Sequence, residues 1–137
     1  MSTLLDFVGN TPLVELKKLN PNPNVKLLAK LEGHNPGGSV KDRAAYSMIK
    51  GAVERGEIKP GTKLIEATSG NTGIALAMIA RLYGIEIELT MPKNSTRERV
   101  LTMEAFGAKV ILTETIESAR DYADAKVAEG GYLMLNQ

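Results

Sequence analysis

From Lys41 onward the apolar residues of this chain switch repeatedly between a helical period of about 3.6 and a strand period of about 2, and few folds tolerate that alternation. Ala45, Met48, Ile49, Ala52 and Val53 recur at i, i+3, i+4, i+7 and i+8, one face of a helix that Gly56 is placed to end. Residues 64–68 read as a short strand. Residues 74–83 are Ala-rich and apolar nearly all round, the pattern of a buried helix, with Gly84 just beyond its end. Ile85, Ile87, Leu89 and Met91 alternate with Glu86, Glu88 and Thr90, which predicts a half-exposed strand stopped by Pro92. Ser95 and Glu98 form a capping-box pair, predicting a helix that runs to Phe106 and ends at Gly107. A strand over 109–113, a helical stripe of Ala119, Tyr122, Ala123 and Val127, and a last strand over 132–135 complete the series. Strands alternating with helices predict an α/β fold around a parallel four-stranded sheet.

Before Lys41 the pattern is weaker. Asn10-Thr11-Pro12 and the Asn/Pro alternation of residues 20–24 are turns, with short strands expected over 13–16 and 25–31. Residues 33–39 are too rich in Gly and Pro to continue a strand. At the other end the chain stops directly after an apolar strand, at Asn136-Gln137, so it is expected to be part of something longer.

Composition narrows the function classes. With 17 basic and 16 acidic side chains the formal net charge is +1, so binding through bulk positive charge to nucleic acid or to a membrane surface is not expected. Aromatic residues are 4% and Trp is absent, which leaves little to stack on bases. Without Cys there is no disulfide framework, thiolate metal site or Cys nucleophile, a composition compatible with a reducing cytoplasm. His34 is the one histidine and has no partner for a metal, so no metal site is expected. No apolar run approaches the ~20 residues that span a bilayer, and residues 1–6 do not form a signal peptide.

Two segments can carry chemistry. Thr68-Ser69-Gly70-Asn71-Thr72-Gly73 lies between a strand and a helix, at the end of a parallel sheet where ligands bind. Gly70 and Gly73 allow close backbone approach, the helix start presents free N–H groups, and Ser69, Asn71 and Thr72 add polar side chains. This predicts an anion pocket for a carboxylate or a phosphate; an ordinary capped turn that binds nothing is the other reading. The segment matches neither the Walker A pattern nor G-x-G-x-x-G, so a nucleotide is not indicated. In the second segment, residues 35–43, a Gly-rich bend delivers Lys41 to a helix N-terminus. The positive end of a helix dipole disfavours an ammonium, and a neutral amine can form a Schiff base. Patterning alone does not lift Lys41 above an ordinary surface lysine. Arg97-Glu98-Arg99 reads as a solvated helix face, and Met78, Met91 and Met103 as core filler.

Taken in order, Gly9-Asn10-Thr11-Pro12-Leu13-Val14, Lys30-Leu31-Glu32-Gly33, Asn35-Pro36, Ser39-Val40-Lys41-Asp42-Arg43 and Glu66-Ala67-Thr68-Ser69-Gly70-Asn71-Thr72-Gly73 resemble the cysteine synthases, pyridoxal-phosphate enzymes of fold type II, and among these the B-isozyme (O-acetylserine sulfhydrylase B) branch. Pro92-Lys93-Asn94, Arg97-Glu98-Arg99 and Phe106-Gly107-Ala108 fit the same branch. The resemblance implies a three-layer α/β/α small domain over residues 41–137. It also implies that residues 1–40 hold two strands of a large domain whose remainder lies beyond residue 137. It implies that Lys41 forms a Schiff base with pyridoxal 5'-phosphate and takes the substrate α-proton, and that Asn71 binds the cofactor's ring hydroxyl oxygen. Thr68, Ser69, Gly70, Asn71, Thr72 and Gln137 would hold the substrate α-carboxylate. The reaction implied is β-replacement, in which acetate leaves O-acetylserine and sulfide or thiosulfate adds to give cysteine. The partners implied are an amino-acid substrate, a sulfur donor and a second copy in a cytoplasmic homodimer. The family's cofactor-phosphate loop, and the Ser facing the pyridine nitrogen, would lie beyond residue 137. The rival readings are a cystathionine β-synthase-like or dehydratase enzyme of the same fold type, and a catalytically incomplete fragment that only binds or oligomerises.

Overall fold

The computed structural model describes residues 1–136. Its larger unit is a four-stranded parallel sheet built from β3 (Lys63–Ala67), β4 (Ile87–Pro92), β5 (Lys109–Thr113) and β6 (Tyr132–Leu133), in the order β5-β4-β3-β6. Four helices alternate with the strands: α1 (Lys41–Glu54), α2 (Asn71–Tyr83), α3 (Arg97–Ala105) and α4 (Ile116–Glu129). The α/β class and the four-stranded parallel sheet expected from the pattern are therefore present.

The core lies on both faces of the sheet. On one face Ala45 and Ile49 of α1, nearly the whole of α2, and Met103 of α3 close over Leu64, Leu89 and Met91. On the other, Ala119 and Ala123 of α4 pack on Ile65 and Ala67. These are three layers. Helix α2 is apolar all round because α1 covers the side that the sheet does not. Gly84 ends it in a left-handed conformation, φ 69°.

Two local expectations fail. Strand β4 is buried along its whole length rather than half-exposed. Glu88 retains only 5% exposure, because the return crossover from β5 to β6 lays α4 over this face. Its carboxylate is matched there by Lys109 Nζ at 2.9 Å, Tyr122 Oη at 3.0 Å and Tyr132 Oη at 3.3 Å. Burial pushes this carboxyl up, and the three donors together outweigh it and hold it below the ordinary range. The capping box foreseen at Ser95 and Glu98 is also absent. Helix α3 starts one residue later than that pair requires, after Thr96 and without a side-chain cap, whereas α4 carries a capping box at Thr115 and Ser118.

The first forty residues form a small antiparallel pair, β1 (Leu13–Glu15) with β2 (Leu28–Lys30), extended by Leu16 N–H to Leu27 C=O and Leu31 N–H to Pro12 C=O. The second strand is much shorter than the 25–31 expected.

Candidate functional site

The strand order places a switch between β3 and β6: the chain leaves β3 for α2 on one face and reaches β6 from α4 on the other. In an open parallel sheet the crevice at the carboxyl ends of such a pair is where ligands bind. The Thr68–Gly73 turn stands on one side of this crevice. Asn136 stands on the other, lining a hollow with Glu66, and the backbone of Leu135 and Asn136 draws the Glu66 carboxyl down. Glu66 is buried, which pushes its carboxyl up, and among the described residues its Oε2 has no partner. Gln137, expected to contact a substrate carboxylate, lies outside the described residues.

Thr68 builds the turn. It is buried, and its Oγ1 accepts from the N–H of Gly73 at 3.2 Å and, more weakly, from that of Gly70 at 3.5 Å. Its own hydroxyl proton stays available to a ligand. Glycine suits position 73, since a Cβ there would lie 2.5 Å from Thr68 Cγ2 and 2.8 Å from Met103 Cε and would force both to shift. Ser69 and Asn71 are exposed and Thr72 is buried; among the described residues none of the three side chains has a hydrogen-bond partner. The Asn71 and Thr72 N–H groups, at the start of α2, likewise have no acceptor there. Free N–H groups, hydroxyls and an amide around one helix start make an anion receptor.

Lys41 is the first residue of α1 and is exposed. Its backbone N–H rests on Ser39 Oγ at 3.1 Å, and among the described residues its ammonium has no hydrogen-bonding or ionic partner. The bend before it is locked from inside. Asp42 is fully buried, and its Oδ2 accepts the Gly37 N–H at 2.5 Å. A Cβ on Gly37 would meet Asp42 Oδ1 at 2.5 Å, so only glycine fits. Burial pushes the Asp42 carboxyl up, and the Gly37 N–H partly opposes this. Arg43 forks onto Glu32 at 2.8 and 2.9 Å and reaches Thr11 Oγ1 at 3.1 Å. The Arg43 guanidinium, with Thr11 and Asn35, holds the Glu32 carboxyl down at about 2.

Lys41 and the turn open onto the same end of the sheet. Val53, at the end of α1, lines one hollow with Tyr83 and Gly84 at the end of α2, and the two helices pack along each other. They therefore run in the same direction. Their lengths, 14 and 13 residues, are nearly equal, so Lys41 and Asn71 both start at the carboxyl end of the strands. No hydrogen bond among the described residues joins the Lys41 side chain to the turn.

Arg99 was not legible as a site residue. It is exposed, as expected of Arg97-Glu98-Arg99, but its Nη1 also donates to the Ser69 carbonyl at 3.1 Å. Nothing in the local pattern marks it; only the packing of α3 beside α2 brings it there. Glu66 carried a signal, a lone carboxylate inside the apolar run Leu64-Ile65-Glu66-Ala67.

Residues 4–137 match the family model described as pyridoxal-phosphate dependent enzyme. The chain is 55% identical over 140 residues to cysteine synthase B of Salmonella typhimurium, covering 100% of this chain and 46% of that protein. It is 56% identical over 138 residues to cysteine synthase B of Pseudomonas aeruginosa, covering 98% of this chain and 46% of that one. The crystal structure of cysteine synthase from Entamoeba histolytica superposes with a TM-score of 0.93 at 38% identity, covering 98% of this chain and 43% of that chain. The chain thus spans about half the length of the curated relatives it matches.

Proposed function

This chain belongs to the pyridoxal-phosphate dependent enzymes, and on that premise we propose that it is the Schiff-base-forming part of a B-type cysteine synthase. The reaction proposed is β-replacement: acetate leaves O-acetylserine, and sulfide adds to the same carbon to give cysteine, or thiosulfate adds there to give S-sulfocysteine.

The donor set suits that cofactor and that substrate. An unpaired amine at Lys41 can bond covalently to an aldehyde, and once displaced by the substrate amine it is free to take the α-proton. The exposed Asn71 amide can donate to a ring hydroxyl oxygen. The Ser69 and Thr72 hydroxyls and the free N–H groups of Asn71 and Thr72 can hold an α-carboxylate, while Thr68 keeps the turn in shape and offers its own proton. The bound cofactor supplies the electron sink for the carbanion left by proton removal. No residue of this chain is assigned to the cofactor phosphate.

In this reading residues 1–40 contribute strands to a large domain and residues 41–137 form the small one, with Gln137 reaching the substrate carboxylate. The homodimer and the cytoplasmic setting implied by the family belong to the same proposal.

One observation supports it above the others: the unpaired Lys41 amine and the unpaired N–H groups of α2 share one end of the sheet. Pyridoxal phosphate added to the protein should give a visible absorption band that shifts when an amino acid is added. Lys41→Ala should lack the band. A band of equal intensity in the variant would overturn the assignment.

A further inference from the structure

We propose that Arg99 is a positioning residue for the carboxylate-binding turn: it fixes the Ser69–Gly70 peptide and lends its charge to the adjoining pocket. The inference rests on the functional reading above, because it takes the turn as the seat of the substrate carboxylate.

The Ser69–Gly70 peptide is held from both sides. Its carbonyl accepts from Arg99 Nη1 at 3.1 Å, and its N–H points to Thr68 Oγ1 at 3.5 Å. Gly70 follows directly, and a residue without a Cβ does little to stop the peptide from rotating. A half-rotation would turn a carbonyl oxygen toward the pocket and repel a carboxylate. The contact to Arg99 resists that rotation from an element 30 residues away.

The charge of Arg99 is also uncommitted. Among the described residues it pairs with no carboxylate, although six other cationic side chains there bridge to a glutamate three or more residues away. One of its N–H groups serves Ser69, which leaves the others for a ligand. Its Cζ lies 3.7 Å from the place a Gly70 Cβ would take, so the guanidinium rests on the turn itself. An arginine with no acidic partner, laid on a ring of free N–H groups, strengthens the positive potential that an anion meets.

The test compares Arg99→Gln and Arg99→Lys with the parent protein loaded with pyridoxal phosphate. Both variants should keep the visible band, since Lys41 is untouched. Arg99→Gln should weaken the spectral titration with L-serine about tenfold, the worth of one charged hydrogen bond, and should raise KM for the amino acid far more than it lowers kcat. Arg99→Lys should recover part of the loss, as it keeps the charge without the fork. Hydrogen exchange of the Gly70 amide in the unloaded protein reads the clamp without a ligand and should quicken in Arg99→Gln. Unchanged affinity together with unchanged exchange overturns the inference, as does loss of the band. If the parent protein gives no response to L-serine, the functional reading fails, and the exchange rates alone decide whether Arg99 holds the turn.

Discussion

In the parallel unit, Ile49, Leu76, Ile79, Leu89 and Met91 are sealed from water; in the first forty residues no apolar side chain is, and Leu13 and Leu19 stand 61% and 71% exposed. The N-terminal strands pair with each other, β1 antiparallel to β2. What ties them together and to α1 is mainly polar: within the segment Gly9 N–H rests on Asn35 and Lys30 on the Thr11 carbonyl, and Glu32 is gripped by Thr11 and by Arg43 of α1. Leu5 and Val8 add the apolar contact. Burial of apolar surface scales with area and tolerates many sequences. A charged cluster depends on a few atoms and on pH. The same chain uses the first device to build a scaffold and the second to seat the segment that leads into Lys41.

That contrast can be broken by mutation. The largest effect is expected in the core, where Ile79→Ala should cost about 2–5 kcal/mol in denaturant unfolding, while Leu28→Ala should stay within about 0.5 kcal/mol. Similar costs at the two positions would show that the N-terminal strands share the core's cooperativity. Gly73→Ala comes next, at about 1–3 kcal/mol, because its Cβ must push Thr68 and Met103 aside. Calorimetry should show the loss, and amino-acid binding should fall with it. Tyr122→Phe should cost about 1 kcal/mol, since Glu88 keeps Lys109 and Tyr132.

The smallest effect on global unfolding, and the sharpest on the contrast, is expected from Glu32→Gln. Exchange of the Leu16 and Leu31 amides should quicken while that of Leu64 and Leu89 does not. The pH dependence follows from the same group. Glu32 is lowered in the fold, from 4.5 to about 2, so its contribution is complete above the ordinary carboxylate range and is lost as pH falls through about 2. Hydrogen exchange at decreasing pH should show the N-terminal strands loosening before the sheet. Simultaneous loosening would mean that Glu32 does not govern their seating.

How much could be read beforehand divides along the same line. Periodicity marked α1, α2 and α4 and all four strands of the sheet, because each buries a regular face. It could not give the strand order, and hence the switch between β3 and β6 that aims the Thr68–Gly73 turn into a crevice. Alternation sent Glu88 to solvent; a covering helix and two tyrosines, more than thirty residues away in sequence, brought it inside. No pattern singled out Asp42, whose buried carboxylate is the internal lock on the Gly37 bend. Arg99 is the exposed residue the pattern indicates, but its partner is a backbone carbonyl, which has no signature in the sequence.

The central claim is that Lys41 alone among the lysines has its amine beside a site built to receive pyridoxal phosphate. Reduction of the protein–cofactor mixture with borohydride, followed by peptide mapping, tests this directly. Label confined to Lys41 is the predicted result. Label spread over Lys50, Lys59 and Lys93, with Lys41 unmodified, would contradict it.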